Sequence, residues 1–203
     1  FYLHQANTPV KIADFDTTQR QTWYNTLYST TVDNGTPLRR ALSNMGRMYA
    51  GKEKTKFGDP VQYSCQQNFT ILSTDGYWNG DGSLDLSGNP ITDQDGGALR
   101  PYLDVNKQSD TLADTAYYYY QTDLRTSALN NCQNTIGGVT YANLCENNVP
   151  GSGKDKNEQQ HMTTFTLGLG VNGTVTYESG YESAPDIKSV TQYIDILNGT
   201  ANW

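Results

Sequence analysis

The sequence predicts an α/β domain enlarged by two long insertions, and three observations lead there. Helical runs with recognisable starts alternate with short apolar strands, an order that implies parallel strands joined by crossovers. Two segments, about 77–109 and 126–159, are rich in Gly, Asn, Asp and Ser. The 203 residues suit one domain with a real core but exceed what such a domain needs, and these segments hold the excess.

In chain order, the first element is a helix over 17–28, which sets Trp23, Tyr24 and Leu27 on one face. A second helix follows from Leu38, Leu42, Met45 and Met48 or Tyr49; Thr36 suits its cap, Pro37 its first position and Gly51 its exit. The short run 69–73, FTILS, reads as a strand buried on both faces. A helix over 110–124 places Leu112, Ala113, Ala116, Tyr117, Tyr120 and Leu124 at helical spacing. The run 165–171, FTLGLGV, alternates strictly, with Gly168 and Gly170 forming a small face that lets a helix come close. A last helix over 186–197 carries Ile187, Val190, Ile194 and Leu197 before Gly199.

Composition narrows the function. The formal net charge is −7 and the 14 Lys and Arg residues are scattered, so a surface that tracks nucleic-acid phosphates or an anionic membrane is not expected. Only 17% of residues are charged, and the neutral-polar surface that results is more usual outside the cell. No apolar run approaches the ~18 residues that a membrane helix requires. The opening on Phe1, Tyr2 and Leu3 leads us to expect a mature fragment of a longer chain, already freed of any leader.

Three cysteines refine the compartment. Cys132 and Cys145 bracket a Gly- and Asn-rich stretch that reads as a loop stapled by a disulfide, and their spacing fits no zinc pattern. Cys65 is left over, either free and buried or paired outside this sequence.

Two positions carry candidate chemistry. Asp75 follows the strand 69–73, and Thr36 stands at a loop-to-helix junction. A hydroxyl and a carboxylate converging at one sheet edge make a hard-oxygen site for Mg²⁺ or Mn²⁺, with room for water and an acidic ligand. The plain alternative is that Thr36 caps its helix and Asp75 ends a turn.

The stretch NGTPLRRAL, followed by an apolar strand ending in STDG, resembles the second and third motifs of a von Willebrand factor type A domain. SCQQNFTILSTDGYWNG, DTLADTAYYYYQTDLR and QQHMTTFTLGLGVNGT, in that order, resemble more closely the type A domain of PilY/PilC-type adhesins at the tips of bacterial type IV pili. The resemblance runs from about residue 17 to residue 203 and implies a Rossmann-like α/β fold, incomplete at its N-terminus. It implies a role in cell adhesion and pilus biogenesis, with export to the cell surface and the pilus tip. The partners it implies are minor pilins or other tip proteins and a host or abiotic surface. Of the family's metal residues, only Thr36 and Asp75 have counterparts here, since the first Asp-x-Ser-x-Ser motif is absent.

A second candidate cation loop, for Ca²⁺, runs through Asp81 and Asp85. On an EF-hand template it fills positions three, five, six and nine, while Tyr77 and Gly88 occupy the two positions that need carboxylates. The alternative is an ordinary polar turn.

Tyr117 to Tyr120 must face all sides of a helix, so these rings either stack on a partner or lie between the sheet and an insertion. His161 has no Cys, Ser or second His at catalytic spacing and reads as a hydrogen-bonded structural imidazole. No nucleophile motif, phosphate loop or zinc helix is present. We therefore expect a non-enzymatic adhesion module that binds through strand-edge loops, the alternative being an assembly component that packs on minor pilins without an external ligand.

Overall fold

The computed structural model describes residues 10–30, 35–94, 108–151, 155–170, 176, 191–198 and 200. Its elements, in order, are α1 (Thr17–Ser29), α2 (Leu38–Tyr49), α3 (Lys54–Phe57), β1 (Asn68–Thr74), α4 (Leu112–Gln121), β2 (Asn134–Ile136), β3 (Val139–Tyr141), β4 (Met162–Gly168) and α5 (Thr191–Asn198). A 3-10 turn, Ser127–Leu129, lies between α4 and β2.

The expected crossover is present: β1 and β4 pair in parallel, with Asn68 beside Met162 and Thr74 beside Gly168, and α4 lies between them in the chain. Helices α2 and α4 pack on each other and on the face that carries Met162. The core joins Leu42, Ala50, Tyr119, Leu124 and Met162 to Leu86 and Ile91 of the first insertion. That insertion therefore supplies core residues.

The opposite face corrects one expectation. FTILS is not buried on both sides: Phe69 is 50% exposed and Ile71 72%, beside Phe165 at 53% and Leu167 at 54% on β4. Parallel strands are normally covered on both faces, and here the described helices cover only one.

Helix boundaries differ from the periodic reading for local reasons. Thr36 does not cap α2 through its side chain; Pro37 holds the cap position, and the Leu38 N–H donates to Thr36 O at 2.8 Å. Gly51 does end α2, at φ +66°, where a Cβ would lie 2.8 Å from Asp59 Oδ2. Asp110 sits at φ 60°, outside α4, which starts instead with a reciprocal cap between Thr111 and Asp114. The helix stops at Gln121, and Leu124 is buried beyond it, its N–H held by Gln160 O at 2.8 Å.

Strand β4 begins at Met162, ahead of the expected 165, because Met162 pairs with the buried start of β1. Gly170 falls beyond the end of β4, and nothing lies within 4 Å of a Cβ placed on it. Of the last helix, 191–198 is described, and the stretch 186–190 lies outside the described residues.

The described parts of both insertions are hydrogen-bonded structure. Three arginines of α2 reach the first one: Arg39 Nη2 donates to Gly80 O at 3.1 Å, Arg40 Nε to Gly82 O at 2.6 Å and Arg47 Nη1 to Asp85 O at 2.6 Å. In the second, the disulfide between Cys132 and Cys145 forms and encloses the antiparallel hairpin β2–β3. Beneath it lies Arg125, fully buried, whose five N–H donors are all met by Asp59, Tyr49 O and Asn131 O. Cys65 is free and exposed, not buried, because the turn that carries it lies at the surface.

Candidate functional site

The carboxyl end of β1 leads into an exposed rim. Thr74 closes a tight turn, its hydroxyl accepting from the Gly76 N–H at 3.2 Å, and Thr74 O accepts from the Leu169 N–H at 2.8 Å, so the ends of β1 and β4 stay together. After the turn, Asp75 is exposed, Tyr77 is 92% exposed and Trp78 41%.

This rim is fixed to the start of α2 by Asn79. The Thr36 N–H donates to Asn79 Oδ1 at 2.7 Å, and the Asn79 N–H donates to Thr36 O at 3.0 Å. The paired bonds tie the loop that follows β1 to Thr36, just ahead of α2. The Asp75 carboxylate makes no hydrogen bond among the described residues, which leaves its oxygens open to solvent.

Asp81 is exposed. Asp85 uses Oδ1 to accept from the Ser87 and Asn89 N–H groups, each at 2.8 Å, which organises a turn. Among the described residues, no group of three or more His, Cys, Asp or Glu is arranged to hold a metal ion. Thr36 and Asp75 would be two donors on a cation, the remainder coming from water or a partner.

Behind the rim, Asp110 locks the first insertion. Its carboxylate accepts from the Ser83 N–H at 2.8 Å and from the Ser83 hydroxyl, and pairs with Arg39 at 3.0 Å. No local pattern signals the pairing of Ser83 with Asp110, which stand 27 residues apart. Asn79 carried a partial signal, since an Asn-Gly pair marks a tight turn.

Three of the four tyrosines of α4 join the insertions to the helix. The Tyr118 hydroxyl accepts from the Leu86 N–H at 3.2 Å, Tyr119 donates to Leu84 O, and Tyr120 donates to Asp155 Oδ1 at 2.9 Å. Burial pushes the Tyr118 and Tyr119 phenols up, so both keep their protons. The helix thus lies between insertions.

His161 is buried, with Nδ1 2.7 Å from Gln159 O and Nε2 3.2 Å from Asp155 Oδ2. This is the hydrogen-bonded imidazole expected.

Fold and rim together define a class: an α/β domain with a parallel sheet, whose carboxyl edge presents an exposed loop held in place from below. Comparison with known proteins goes further. The chain is 32% identical over 195 residues to the type IV pilus biogenesis factor PilY1 of Pseudomonas aeruginosa strain PAK, covering 84% of this chain and 16% of that protein. It is also 32% identical over 211 residues to PilY1 of strain PAO1, covering 95% and 17%, and 30% over 204 residues to that of strain UCBPP-PA14, covering 95% and 17%. The chain is homologous to PilY1 over most of its own length and spans about a sixth of the length of these relatives. No family model and no solved structure matches it.

Proposed function

We propose that this chain is a von Willebrand type A-like module of a type IV pilus protein, exported to the pilus tip, where it acts in adhesion and pilus biogenesis by binding and not by catalysis. The observation that carries this reading is the rim: Asp75, Tyr77 and Trp78 project from a sheet edge that Asn79 holds rigid against Thr36. A fixed backbone spares the rim the ordering cost of binding. Tyr and Trp supply contact area with polar tips. Homology to PilY1 supports the pilus setting.

In this reading Mg²⁺ or Ca²⁺ assists by sitting on Asp75 and Thr36, with an acidic group of the partner completing its oxygen shell. The Asp81 and Asp85 loop is the alternative calcium site.

The bare sheet face favours a second reading, an assembly component that packs on minor pilins. Phe69, Ile71, Phe165 and Leu167 form an apolar patch suited to protein contact. The two readings separate in a strain carrying Tyr77→Ala with Trp78→Ala in the full-length protein. Adhesion lost per pilus with normal pilus number supports the rim; normal adhesion per pilus overturns it. Loss of pili on Ile71→Asp alone supports the assembly role.

A further inference from the structure

We infer that the pair Asn79-Gly80 is a modification site, where the asparagine side chain closes onto the glycine nitrogen and reopens as aspartate or isoaspartate. The rim thereby changes its charge and its fastening as the protein ages. Such a reaction needs a nucleophile, an electrophile and an exit for the leaving group, and water completes it.

The nucleophile is the Gly80 nitrogen. Glycine sets no Cβ beside it, and Gly80 is exposed at φ +81°. Gly80 O accepts from Arg39 Nη2 at 3.1 Å, whereas the Gly80 N–H makes no hydrogen bond among the described residues. The electrophile, Asn79 Cγ, belongs to the preceding residue, so the attack is intramolecular. The Thr36 N–H lies 2.7 Å from Asn79 Oδ1, which fixes which atom of the amide is oxygen. That donor is aimed at the atom that turns negative as the ring closes. Asn79 is exposed, and its Nδ2 makes no hydrogen bond among the described residues, so the leaving group departs into solvent.

The atoms balance without a further reactant. The bond from Gly80 N to Asn79 Cγ forms, the bond from Cγ to Nδ2 breaks, and ammonia leaves with the proton that the Gly80 nitrogen gives up. Water then adds across one of the two bonds that the succinimide makes to that nitrogen. Breaking the one to Cγ leaves aspartate; breaking the one to the backbone carbonyl leaves isoaspartate, with a methylene added to the main chain.

Earlier in the same loop, Asp75-Gly76 supplies the contrast. There the Gly76 N–H donates to the Thr74 hydroxyl at 3.2 Å, and attack would first give up that bond. At Asn79 either product puts a carboxylate where a neutral amide stood. Aspartate keeps an acceptor for the Thr36 N–H, now charge-assisted. Isoaspartate displaces it, and the paired bonds to Thr36 part. The reaction depends on this loop and on water, whatever the rim binds.

The test is peptide mapping by mass spectrometry on the 203-residue chain, held folded or in guanidinium at neutral to mildly alkaline pH. Mapping is needed because Asn34, Asn172 and Asn198 also precede glycine. The expected result is ammonia loss at Asn79 in the folded chain, a mixture of aspartate and isoaspartate in its place, and lost amide protection at Thr36 in the isoaspartate form. Asp75→Asn gives the earlier pair the same leaving group, and its conversion in the folded chain should run slower than that of Asn79 by about five- to tenfold, the worth of one hydrogen bond. Adding Thr74→Ala should close most of that gap. Asn79 left intact in the folded chain overturns the inference, as do equal rates at the two positions in Asp75→Asn or a gap that Thr74→Ala leaves unchanged.

Discussion

Gly46 of α2 lies flat against the ring of Tyr119 on α4. A Cβ on Gly46 would fall 2.5 Å from Tyr119 Cε1 and closer still to Cδ1 and Cγ, while Tyr119 is 0% exposed and cannot swing aside. Two helices approach here because one of them has no side chain. Gly46→Ala is expected to destabilise the fold by about 1–3 kcal/mol despite the better helix propensity of Ala. Urea denaturation would measure it, and the same substitution beside Tyr119→Ala should cost much less. Equal costs in the two backgrounds would show that the ring is not the obstacle.

Much of the scaffold was legible because it depends on periodicity. Leu42 and Met48 announce the buried side of α2, and the alternation of helix and strand announces the parallel pair β1–β4. What escaped the sequence depends on polar groups far apart in the chain. Thr36 resembles a cap until Asn79, 43 residues later, supplies the acceptor for its N–H. Nothing local to Arg39, Arg40 and Arg47 names a partner, yet each donates to a carbonyl of the first insertion. Ile71 reads as core because a β-branched residue in an apolar run normally is, and no local pattern records that the described helices cover one face only. Of the candidate site, the position of Asp75 just past the end of β1 was legible from the turn residues that close the apolar run; the bond that ties this loop to Thr36 was not, since Asn79-Gly80 marks a turn and not its partner.

Arg125 and Asp59 give a larger effect. Both are buried, and Arg125 Nη1 donates to Asp59 Oδ2 at 3.0 Å while Nη2 reaches Asp59 Oδ1. Removing one partner leaves the other charge buried without its counterion. Asp59→Asn and Arg125→Met are each expected to cost about 3–5 kcal/mol. Thermal unfolding of the two single variants and the double variant checks this, the double costing less than the sum of the singles. Additive losses would mean that the pair is not coupled.

Acid acts on two carboxylates in opposite directions. Asp155 is held below the ordinary carboxylate range, so its contribution is present above that range and is lost as pH falls through its lowered value. Asp123 is pushed up by burial, which exceeds the help it receives from the Arg125 N–H. Its folded form binds a proton more readily than its unfolded form, so it favours folding increasingly as pH falls through its raised value. Asp155→Asn should flatten the acid loss of stability and Asp123→Asn should steepen it. Chemical denaturation at a series of pH values from neutral to strongly acid would separate them, and shifts of the same sign in both variants would refute the assignment.

The rim makes the last prediction. In the proposed cation site Thr36 and Asp75 are the protein donors, with Asn79 holding Thr36 and Asp75 exposed. The Asp85 carboxylate is already occupied by the Ser87 and Asn89 N–H groups. Calorimetric titration with Mg²⁺ and with Ca²⁺ should therefore release heat that disappears in Asp75→Ala and persists in Asp81→Ala. Asn79→Ala should weaken binding without removing a donor, because the loop that carries Asp75 is no longer tied to Thr36; faster amide exchange at Thr36 would report that release directly. Heat that disappears only in Asp81→Ala would move the cation into the insertion. Absence of heat with every cation would leave the rim to bind through Tyr77 and Trp78 alone.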